Sequence, residues 1–296
     1  MDVLVSGSSG LIGGALRQAL PESGHRPVRL VRSESPKAGD TVRWDPSEGR
    51  IEAEAIEGID AVVHLAGEPP LGRWTDDKKR RIRDSRVHGT RLLADTLANL
   101  RRPPTVMLSA SAIGWYGSRG DEVLTEDSPP GTGFFAEVAR DWETATAPAD
   151  EAGIRVVHLR TGLVLSTEGG LLAAQLFPFR LGLGAQLGSG RQWMPWITIG
   201  DHVAAMLHLF ERRDARGAVN LSAPNPVRNA TFARTLGRVL GRPVFLTVPR
   251  IAIEFVLGAE AAEDFALASN RVLPARLVDE FGFRFRHPEL EGALRA

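Results

Sequence analysis

Short runs of apolar, mostly β-branched residues alternate with longer amphipathic stretches along the first half of the chain. The runs that predict buried strands are residues 3–5, 28–31, 61–65, 106–109 and 156–159. The amphipathic stretches predict helices that begin near Leu11, run from about Lys78 to Asn99, and run from Phe134 to Asp150. This alternation is typical of βαβ units, in which helices cover both faces of a parallel sheet. The pattern therefore predicts an α/β fold with a Rossmann-type, doubly wound parallel sheet.

The pattern loosens after residue 165. A glycine-rich stretch covers residues 182–190, and short helices and turns with scattered prolines follow Pro226. Between them, a helix is predicted to open at Gly200, with Asp201 interpreted as its N-cap in preference to a catalytic acid, and residues 219–221 predict a last strand. We therefore predict a Rossmann domain of residues 1–165, to which residues 200–225 return. A smaller C-terminal substrate lobe is predicted for residues 166–199 and 226–296.

Charge and composition narrow the classes of partner. Lys plus Arg and Asp plus Glu number 36 each, so no net field of either sign would attract nucleic acid or an anionic membrane. The chain has no cysteine, which excludes disulfides and thiolate nucleophiles. Neither a signal-peptide pattern nor an apolar stretch of the roughly 18 residues that a membrane helix needs is visible. We expect a cytoplasmic protein that binds no nucleic acid and no membrane, takes a small-molecule substrate, and is a monomer or homodimer.

A glycine-rich turn follows the first predicted strand. From Gly7 to Gly13 it has the spacing G-x-x-G-x-x-G between a strand and an apolar helix, the context that dinucleotide binding requires. Gly7 permits the tight turn, Gly10 lets the backbone approach a pyrophosphate, and Gly13 allows close packing of helix on strand. The predicted cofactor-binding residues of this turn are Gly7, Ser9, Gly10, Leu11, Ile12 and Gly13. An ordinary glycine-rich turn is the alternative.

The end of the second predicted strand bears on which cofactor binds. An acidic residue at this point typically holds the adenosine ribose of NAD, whereas this chain has Arg32 followed by Ser33. A guanidinium can bind a ribose 2′-phosphate through two hydrogen bonds, and a carboxylate would repel it. Arg32 and Ser33 therefore predict NADP in preference to NAD. The alternative is a solvent-exposed arginine at a strand end.

The glycine turn, the strand end at residues 64–68 and the segment Ser-Ala-Ser-Ala-Ile-Gly-Trp-Tyr-Gly at residues 109–117 together resemble the extended short-chain dehydrogenase/reductase superfamily. More narrowly, the chain is similar to an atypical, sugar-nucleotide-epimerase-like branch, the NAD-dependent epimerase/dehydratase family. The resemblance implies further cofactor contacts: Leu65, Ala66 and Gly67 on the adenine side, Arg86 from the long helix, and residues 161–164, including Leu163 and Val164, beside the nicotinamide. Without it, Leu65 and Val164 are equally consistent with the core and Arg86 with a solvated helix face.

The superfamily's usual acid/base pair is missing. Its enzymes typically use Tyr-x-x-x-Lys, in which the lysine lowers the tyrosine pKa so that the phenolate can exchange a proton with the substrate. The one tyrosine of this chain, Tyr116, is followed four residues later by Gly120. Phe135 and Ala139 stand where the resemblance places the pair. The usual mechanism is therefore excluded.

Two residues remain as catalytic candidates. Ser111 matches the superfamily's serine, which donates a hydrogen bond to the reacting oxygen, and Tyr116 is predicted to be the substitute acid/base. A packed aromatic is the alternative for Tyr116. Lys79 and Arg140 are candidates for lowering its pKa. The histidines show no metal-binding spacing, so no metal is expected.

The substrate side offers weaker signals. Arg180, Arg191 and Arg271 are candidates for holding a phosphate or carboxylate, and Trp193 and Trp196 either stack on a substrate ring or fill the core. Two functions fit. One is an NADP-dependent oxidoreductase or epimerase that acts on a hydroxyl or carbonyl group, such as that of a sugar nucleotide. The other is a catalytically silent protein that senses NADP(H) and regulates a partner.

Overall fold

The computed structural model describes residues 1–32 and 40–296. Its strands are β1 (Asp2–Ser6), β2 (Arg26–Val31), β3 (Thr41–Asp45), β4 (Arg50–Ile51), β5 (Ala61–His64), β6 (Val106–Ala112), β7 (Val123–Leu124), β8 (Arg155–Thr161), β9 (Leu163–Leu165), β10 (Ala185–Leu187), β11 (Trp193–Met194), β12 (Trp196–Thr198), β13 (Gly217–Leu221), β14 (Val227–Arg228), β15 (Leu246–Val248) and β16 (Arg271–Val272). Its α-helices are α1 (Leu11–Glu22), α2 (Asp76–Ala98), α3 (Phe134–Thr144), α4 (Ala147–Glu151), α5 (Gly170–Arg180), α6 (Ile199–Glu211), α7 (Asn229–Val239), α8 (Arg250–Leu257), α9 (Ala259–Ala261) and α10 (Leu290–Arg295). None of the helices in these residues is long and apolar enough to cross a membrane.

An 8-stranded sheet forms the centre of the molecule, in the order β13-β8-β6-β5-β1-β2-β3-β4. All neighbours are parallel except β3 and β4, which form an antiparallel pair at one edge. The order runs outward from β1 in both directions, which creates a switch point between β1 and β5. This strand order confirms the predicted doubly wound parallel sheet. Ligands of such sheets bind where the strand order reverses.

Two apolar cores cover the two faces of the sheet. Every second residue of β1 and β5 faces each core: Val3, Val5 and Val63 pack beneath α1 and α6, whereas Leu4 and Val62 pack beneath α2. Continuous apolar strands of this kind are expected where a parallel sheet is buried on both sides. The helices are therefore fixed on the sheet, and the strand ends form a rigid edge.

The C-terminal edge of the sheet brings separate segments of the chain together. Ser6 lies opposite His64, His64 opposite Ser109, and Ala112 opposite Thr161 in the register of neighbouring strands. The glycine turn, the segment after β5 and the segment after β6 consequently leave the sheet side by side. This edge is where a cofactor site is expected.

A smaller set of elements lies beyond this edge. It contains the short pairs β9–β12, β10–β15 and β11–β14, and a third core around Trp196 and Phe232. The final segment divides between the two regions, because Leu277 and Phe281 pack in the first core of the sheet. Part of the predicted 226–296 lobe thus contacts the Rossmann core directly.

Three local predictions differ from the structure. The predicted helix over 134–150 is two helices, α3 and α4, and Pro148 in the first turn of α4 accounts for the break because proline is favoured there and disfavoured inside a helix. Strands β3 and β4 were not predicted. Asp201 is not an N-cap: Thr198 caps α6, and the Asp201 carboxylate instead accepts the backbone N–H groups of Arg286 and His287.

Candidate cofactor and substrate site

The turn after β1 forms a close backbone cradle. Gly7 has a φ of +65°, and a Cβ on it would lie 2.8 Å from the carbonyl carbon of Leu65 and 2.9 Å from the amide nitrogen of Ala66. A Cβ on Gly13 would overlap the carbonyl oxygen of Gly7 and lie 2.9 Å from the Cα of Ser8. Both positions therefore require glycine, for the reasons that the sequence predicted.

The N-terminus of α1 opens onto this cradle. Ser9 and the N-cap residue Gly10 are exposed, and the first turn has the sequence Leu-Ile-Gly-Gly, without an acid. Leu11, Ile12 and Gly13 are among the first N–H donors of the helix, which have no partner within a helix, and the helix dipole adds positive potential there. Backbone donors and close backbone approach fit the pyrophosphate of a dinucleotide.

A buried serine holds the opposite wall. Ser6 Oγ accepts the amide N–H groups of Leu65 (3.0 Å) and Ala66 (3.2 Å), and lies 2.7 Å from His64 Nδ1. Because both lone pairs of the hydroxyl are used, its proton points to Nδ1, which makes His64 a neutral acceptor. Full burial lowers the pKa of His64 to about 4, in agreement with that neutral state. The backbone beside Gly7 is thus fixed before any ligand binds.

Arg86 braces the next residues of this wall. Its Nη1 donates to the carbonyl oxygen of Glu68 at 2.9 Å, and its guanidinium lies 5.0 Å from the ring centroid of Trp142. A Cβ on Gly67 would be 3.3 Å from the guanidinium carbon. The structure therefore places Arg86 beside Gly67, and burial lowers the pKa of Arg86 to about 10. Contact between Arg86 and the cofactor remains a prediction.

The end of β2 carries exposed positive charge. Arg32 follows Val31, the last residue of the strand, and is exposed to solvent. Arg29, three residues before Arg32, donates a hydrogen bond from its Nε to Ser8 Oγ in the glycine turn, at 3.3 Å. Ser33, predicted to assist Arg32, lies outside the described residues. Arg29 was not singled out from the sequence, although its alternation with the buried Val28 and Leu30 places it on the face of the turn.

The predicted nicotinamide end lies near the start of α1. Leu163 donates its amide to the carbonyl oxygen of Pro195 at 2.8 Å, and Val164 packs against the first core. A Cβ on Gly169 would be 3.4 Å from Leu11 Cδ1, which shows that the chain after Val164 returns to the glycine turn. The segment after Val164 and the start of α1 are therefore neighbours in space.

Ser111 belongs to a buried network. Its hydroxyl donates to Glu143 Oε1 at 2.6 Å, and Arg160 donates to both oxygens of the same carboxylate, at 2.8 and 2.9 Å. All three side chains are at least nine-tenths buried. Glu143 and Arg160 were not assigned roles from the sequence. Their positions, four residues after Ala139 on α3 and beside Thr161 on β8, are the signals that could have indicated them.

Tyr116 lies in the core and not in the cleft. Its hydroxyl donates to Asn220 Oδ1 at 2.7 Å and accepts from Arg160 Nη1 at 3.1 Å, with the side chain fully buried. Burial raises the pKa of Tyr116 to about 12, despite the opposing effect of Arg160. This placement argues against the predicted acid/base role, because an inaccessible phenol with a raised pKa exchanges protons poorly.

The cation beside Tyr116 is Arg160, and neither of the two predicted candidates contacts its hydroxyl. Lys79 pairs with Glu260 at 2.7 Å, and Arg140 is exposed on α3. Arg160 also lies 3.9 Å from the ring centroid of Trp115. The guanidinium of Arg160 thus contacts the Glu143 carboxylate and the rings of Trp115 and Tyr116.

Phe135 and Ala139 are the residues that the resemblance places at the positions of the missing pair. Ala139 is buried in α3. Phe135 packs beside Gly114, and a Cβ added to Gly114 would lie 3.2 Å from the Cβ of Phe135. Trp74, Phe134 and Phe265 surround Phe135, with ring centroids 4.9 to 6.0 Å from it. We call these four residues the aromatic cluster. They form an apolar wall at the end of β6.

An arginine-lined groove of about 530 Å³ lies on the substrate side. Arg191, Arg228 and Arg250 line it together with Asp121 and Glu263, which pair with Arg228 and Arg250 respectively. This groove, here named the arginine groove, keeps an excess of positive charge. Of the arginines predicted from the sequence, Arg191 therefore lines it.

The other substrate-side candidates lie elsewhere. Arg271 lies over the ring of Trp193 at 4.9 Å, and Arg180 is exposed at the end of α5. Trp193 donates its indole N–H to Asp121, whereas Trp196 is fully buried in the third core. Trp196 is therefore a core residue. Among residues 1–32 and 40–296, no group of three or more His, Asp and Glu side chains is placed to hold a metal ion.

Comparison with known proteins adds independent information. The model of the NAD dependent epimerase/dehydratase family matches residues 3–222, and that of a domain of unknown function, DUF1731, matches residues 248–296. The chain is 41% identical over 293 residues to an epimerase family protein of Mycobacterium bovis, covering 99% of this chain and 96% of the relative. It is 36% identical over 300 residues to the human epimerase family protein SDR39U1, covering 100% and 99%. The crystal structure of human SDR39U1 (isoform 2) with NADPH matches with a TM-score of 0.90 at 34% identity, covering 100% of this chain and 98% of that one.

Proposed function

The chain belongs to the NAD-dependent epimerase/dehydratase family, and from that premise we propose that it binds NADP(H) for hydride chemistry on a hydroxyl or carbonyl group, as an oxidoreductase or epimerase. The observation that carries the proposal is the backbone cradle of Gly7 and Gly13 against Leu65, with Arg32 at the end of β2 in place of a carboxylate. The human relative crystallised with NADPH supports the choice of cofactor.

In this proposal, each group of site residues binds a different part of the cofactor. The N–H groups of residues 11–13 meet the pyrophosphate, Arg32 meets the ribose 2′-phosphate, and Leu65 to Gly67 border the adenine side. Leu163 and Val164 border the nicotinamide. The bound cofactor would supply the hydride chemistry, and the chain would supply its binding and orientation.

Ser111 remains the catalytic candidate for the reacting oxygen, although its side chain is buried beside Glu143. Its proton is directed to Glu143, so it offers lone pairs to a substrate unless that bond opens. Arg160 holds Glu143 through two hydrogen bonds, which fixes the position of the carboxylate and so the orientation of the serine. The site therefore suits a substrate whose proton step needs little help from the protein.

The arginine groove supports an anionic substituent on the substrate. Its three guanidiniums outnumber its two carboxylates, and such an excess attracts a phosphate or a carboxylate. A small anionic molecule, the class to which sugar nucleotides belong, fits this charge. The groove would then bind the anionic end of the substrate, and the reacting end would lie beside the cofactor.

A second function is favoured by one observation. Phe135 and Ala139 replace the usual acid/base pair, and Tyr116 is buried. A protein that binds NADP(H) without turnover and reports its state to a partner would tolerate these losses. Cofactor binding alone does not separate the two functions, whereas turnover of any hydroxyl or carbonyl substrate would exclude the silent one.

Calorimetric titration with NADPH and with NADH tests the proposal. We expect NADPH to bind more tightly than NADH, and Arg32→Ala to weaken NADPH by about tenfold or more, since hydrogen bonds to a charged group contribute about 1.5–3 kcal/mol. Arg213→Ala, an exposed arginine between α6 and β13, is the control and should leave both affinities unchanged. Equal affinities for the two cofactors, unaffected by Arg32→Ala, would refute the assignment of NADP.

A further inference from the structure

The aromatic cluster is a continuous but incompletely covered surface. Trp74 meets Phe134 and Phe135 edge to face at 5.2 and 4.9 Å, and Phe135 stacks with Phe265 at 6.0 Å and an interplanar angle of 27°. Phe265 is 42% exposed, and Trp74 and Phe135 are half-buried. Rings packed only against each other within a core would be covered on all sides. Lys79 Nζ lies 5.0 Å from the ring centroid of Phe134, whereas Trp74, Phe135 and Phe265 keep part of their surface in contact with solvent.

The cluster lies beside the segment that follows β6, the strand that carries Ser111. Phe135 stands where the resemblance places the usual catalytic tyrosine, and it packs beside Gly114. Gly114 follows Ser111 by three residues. Phe265 reaches it from the smaller lobe, held there because Asp264 accepts the backbone N–H of Phe134 at 2.9 Å. Trp74 reaches it from the segment between β5 and α2. Three separate segments therefore place aromatic rings beside the end of β6.

The surface offers no hydrogen bonds from its rings. The indole N–H of Trp74, the one polar group among the four side chains, already donates to the carbonyl oxygen of Pro70 at 2.8 Å. A sugar ring carries several hydroxyl groups that lose their water partners on binding and need replacements. A flat conjugated ring needs none and gains stacking contacts with aromatic faces.

We propose that the aromatic cluster is the binding site for the reacting end of the substrate, and that this end is a flat, conjugated carbonyl compound and not a sugar. This inference rests on the proposed function and narrows its substrate class. Conjugation of the carbonyl group with an aromatic ring keeps this end of the substrate flat, so that it can stack on aromatic side chains. The carbonyl compound gains two electrons and two protons, as one hydride from NADPH and one proton from water.

The experiment measures binding of 2-naphthaldehyde by quenching of tryptophan fluorescence, both with NADP⁺ present and with no cofactor. NADP⁺ cannot reduce the aldehyde, so binding is observed without turnover. We expect saturable binding, and we expect Phe265→Ala to raise the dissociation constant by about tenfold, while Phe265→Leu, which keeps the bulk but not the ring, has an intermediate effect. Phe245→Ala is the matched control, because Phe245 is 76% exposed on the segment before β15.

The outcomes distinguish this inference from the function on which it rests. Tight NADPH binding with no naphthaldehyde binding, or with binding that Phe265→Ala leaves unchanged, would overturn the aromatic site alone. UDP-glucose that binds more tightly than naphthaldehyde and is lost in Phe265→Ala would do the same. Absence of NADPH binding in the wild-type protein would overturn the proposed function, and the titration without cofactor would still decide whether the ring site exists. NADPH oxidation on naphthaldehyde, reduced in Phe265→Ala through KM more than kcat, would support both.

Discussion

His202 is a fully buried histidine at the end of the sheet, where it lies 3.1 Å from Thr161 Oγ1. Because that hydroxyl donates to the carbonyl oxygen of Leu159, it accepts from His202 Nε2, which leaves Nδ1 unprotonated and, among the described residues, without a partner. Burial lowers the pKa of His202 to about 4. The folded protein therefore holds this ring neutral at a pH where the unfolded chain protonates it.

The lowered pKa makes stability depend on pH. Between pH 6.5 and about 4 the unfolded chain binds more protons at His202 than the folded protein does, so the free energy of unfolding falls as the pH falls. One such group contributes a slope of up to about 1.4 kcal/mol per pH unit. We expect His202→Gln, which can still donate to Thr161, to reduce the slope of urea unfolding free energy against pH in this window. His88→Gln, at an exposed position on α2, should keep the wild-type slope, and an unchanged slope in His202→Gln would contradict the burial of the neutral ring.

At the residue scale, local motifs were predictable and long-range partners were not. The need for glycine at Gly7 and Gly13 could be predicted because it depends on neighbours in sequence and on a short motif. The partners of Tyr116 are 44 and 104 residues away, and no spacing in the sequence places Arg160 or Asn220 beside it. A strand-end tyrosine therefore looked accessible, although its side chain turns into the core.

At the scale of elements, the β1–turn–α1 unit is the part of the molecule with the least freedom. We expect Gly13→Ala to abolish detectable NADPH binding and to lower the free energy of unfolding by about 1–3 kcal/mol or more, because the new methyl group would overlap the backbone of Gly7. Gly14→Ala is the matched control: its Cβ would meet no described atom within 4 Å, and alanine is favoured over glycine in a helix by about 1 kcal/mol. It should raise the melting temperature and preserve binding, as thermal unfolding and titration would show. Equal effects of the two variants would contradict the cradle.

The strands and helices that were predicted share a strong apolar period. Those buried on both faces, such as β1 and β5, have uninterrupted apolar runs and were identified with near-correct ends. The missed strand β3 has the sequence Thr-Val-Arg-Trp-Asp, whose alternation is real but short, and β4 has only two residues. The alternation of β3 buries only Val42 and Trp44, and two residues in β4 carry no period, which is why the pattern does not reveal these strands.

At the scale of the whole molecule, the family and the doubly wound sheet predicted from the sequence are confirmed. The division into a larger and a smaller lobe remains a prediction, as do a cytoplasmic location and the monomeric or dimeric state. The packing of Leu277 and Phe281 against the sheet core could not be predicted, because a short C-terminal segment carries no period that indicates its partner. This contact attaches the C-terminal segment to the domain that carries the proposed cofactor site.

In the proposed function, three segments separated in sequence form one dinucleotide site, and hydrogen–deuterium exchange with and without NADPH shows whether they respond together. We expect NADPH to slow exchange at residues 10–14, 64–67 and 162–165, which converge at the C-terminal edge of the sheet. The groove of about 730 Å³ that Trp44, Ile51 and Leu92 line with their neighbours should show no change. Protection in that groove, with unchanged exchange at the glycine turn, would contradict the account.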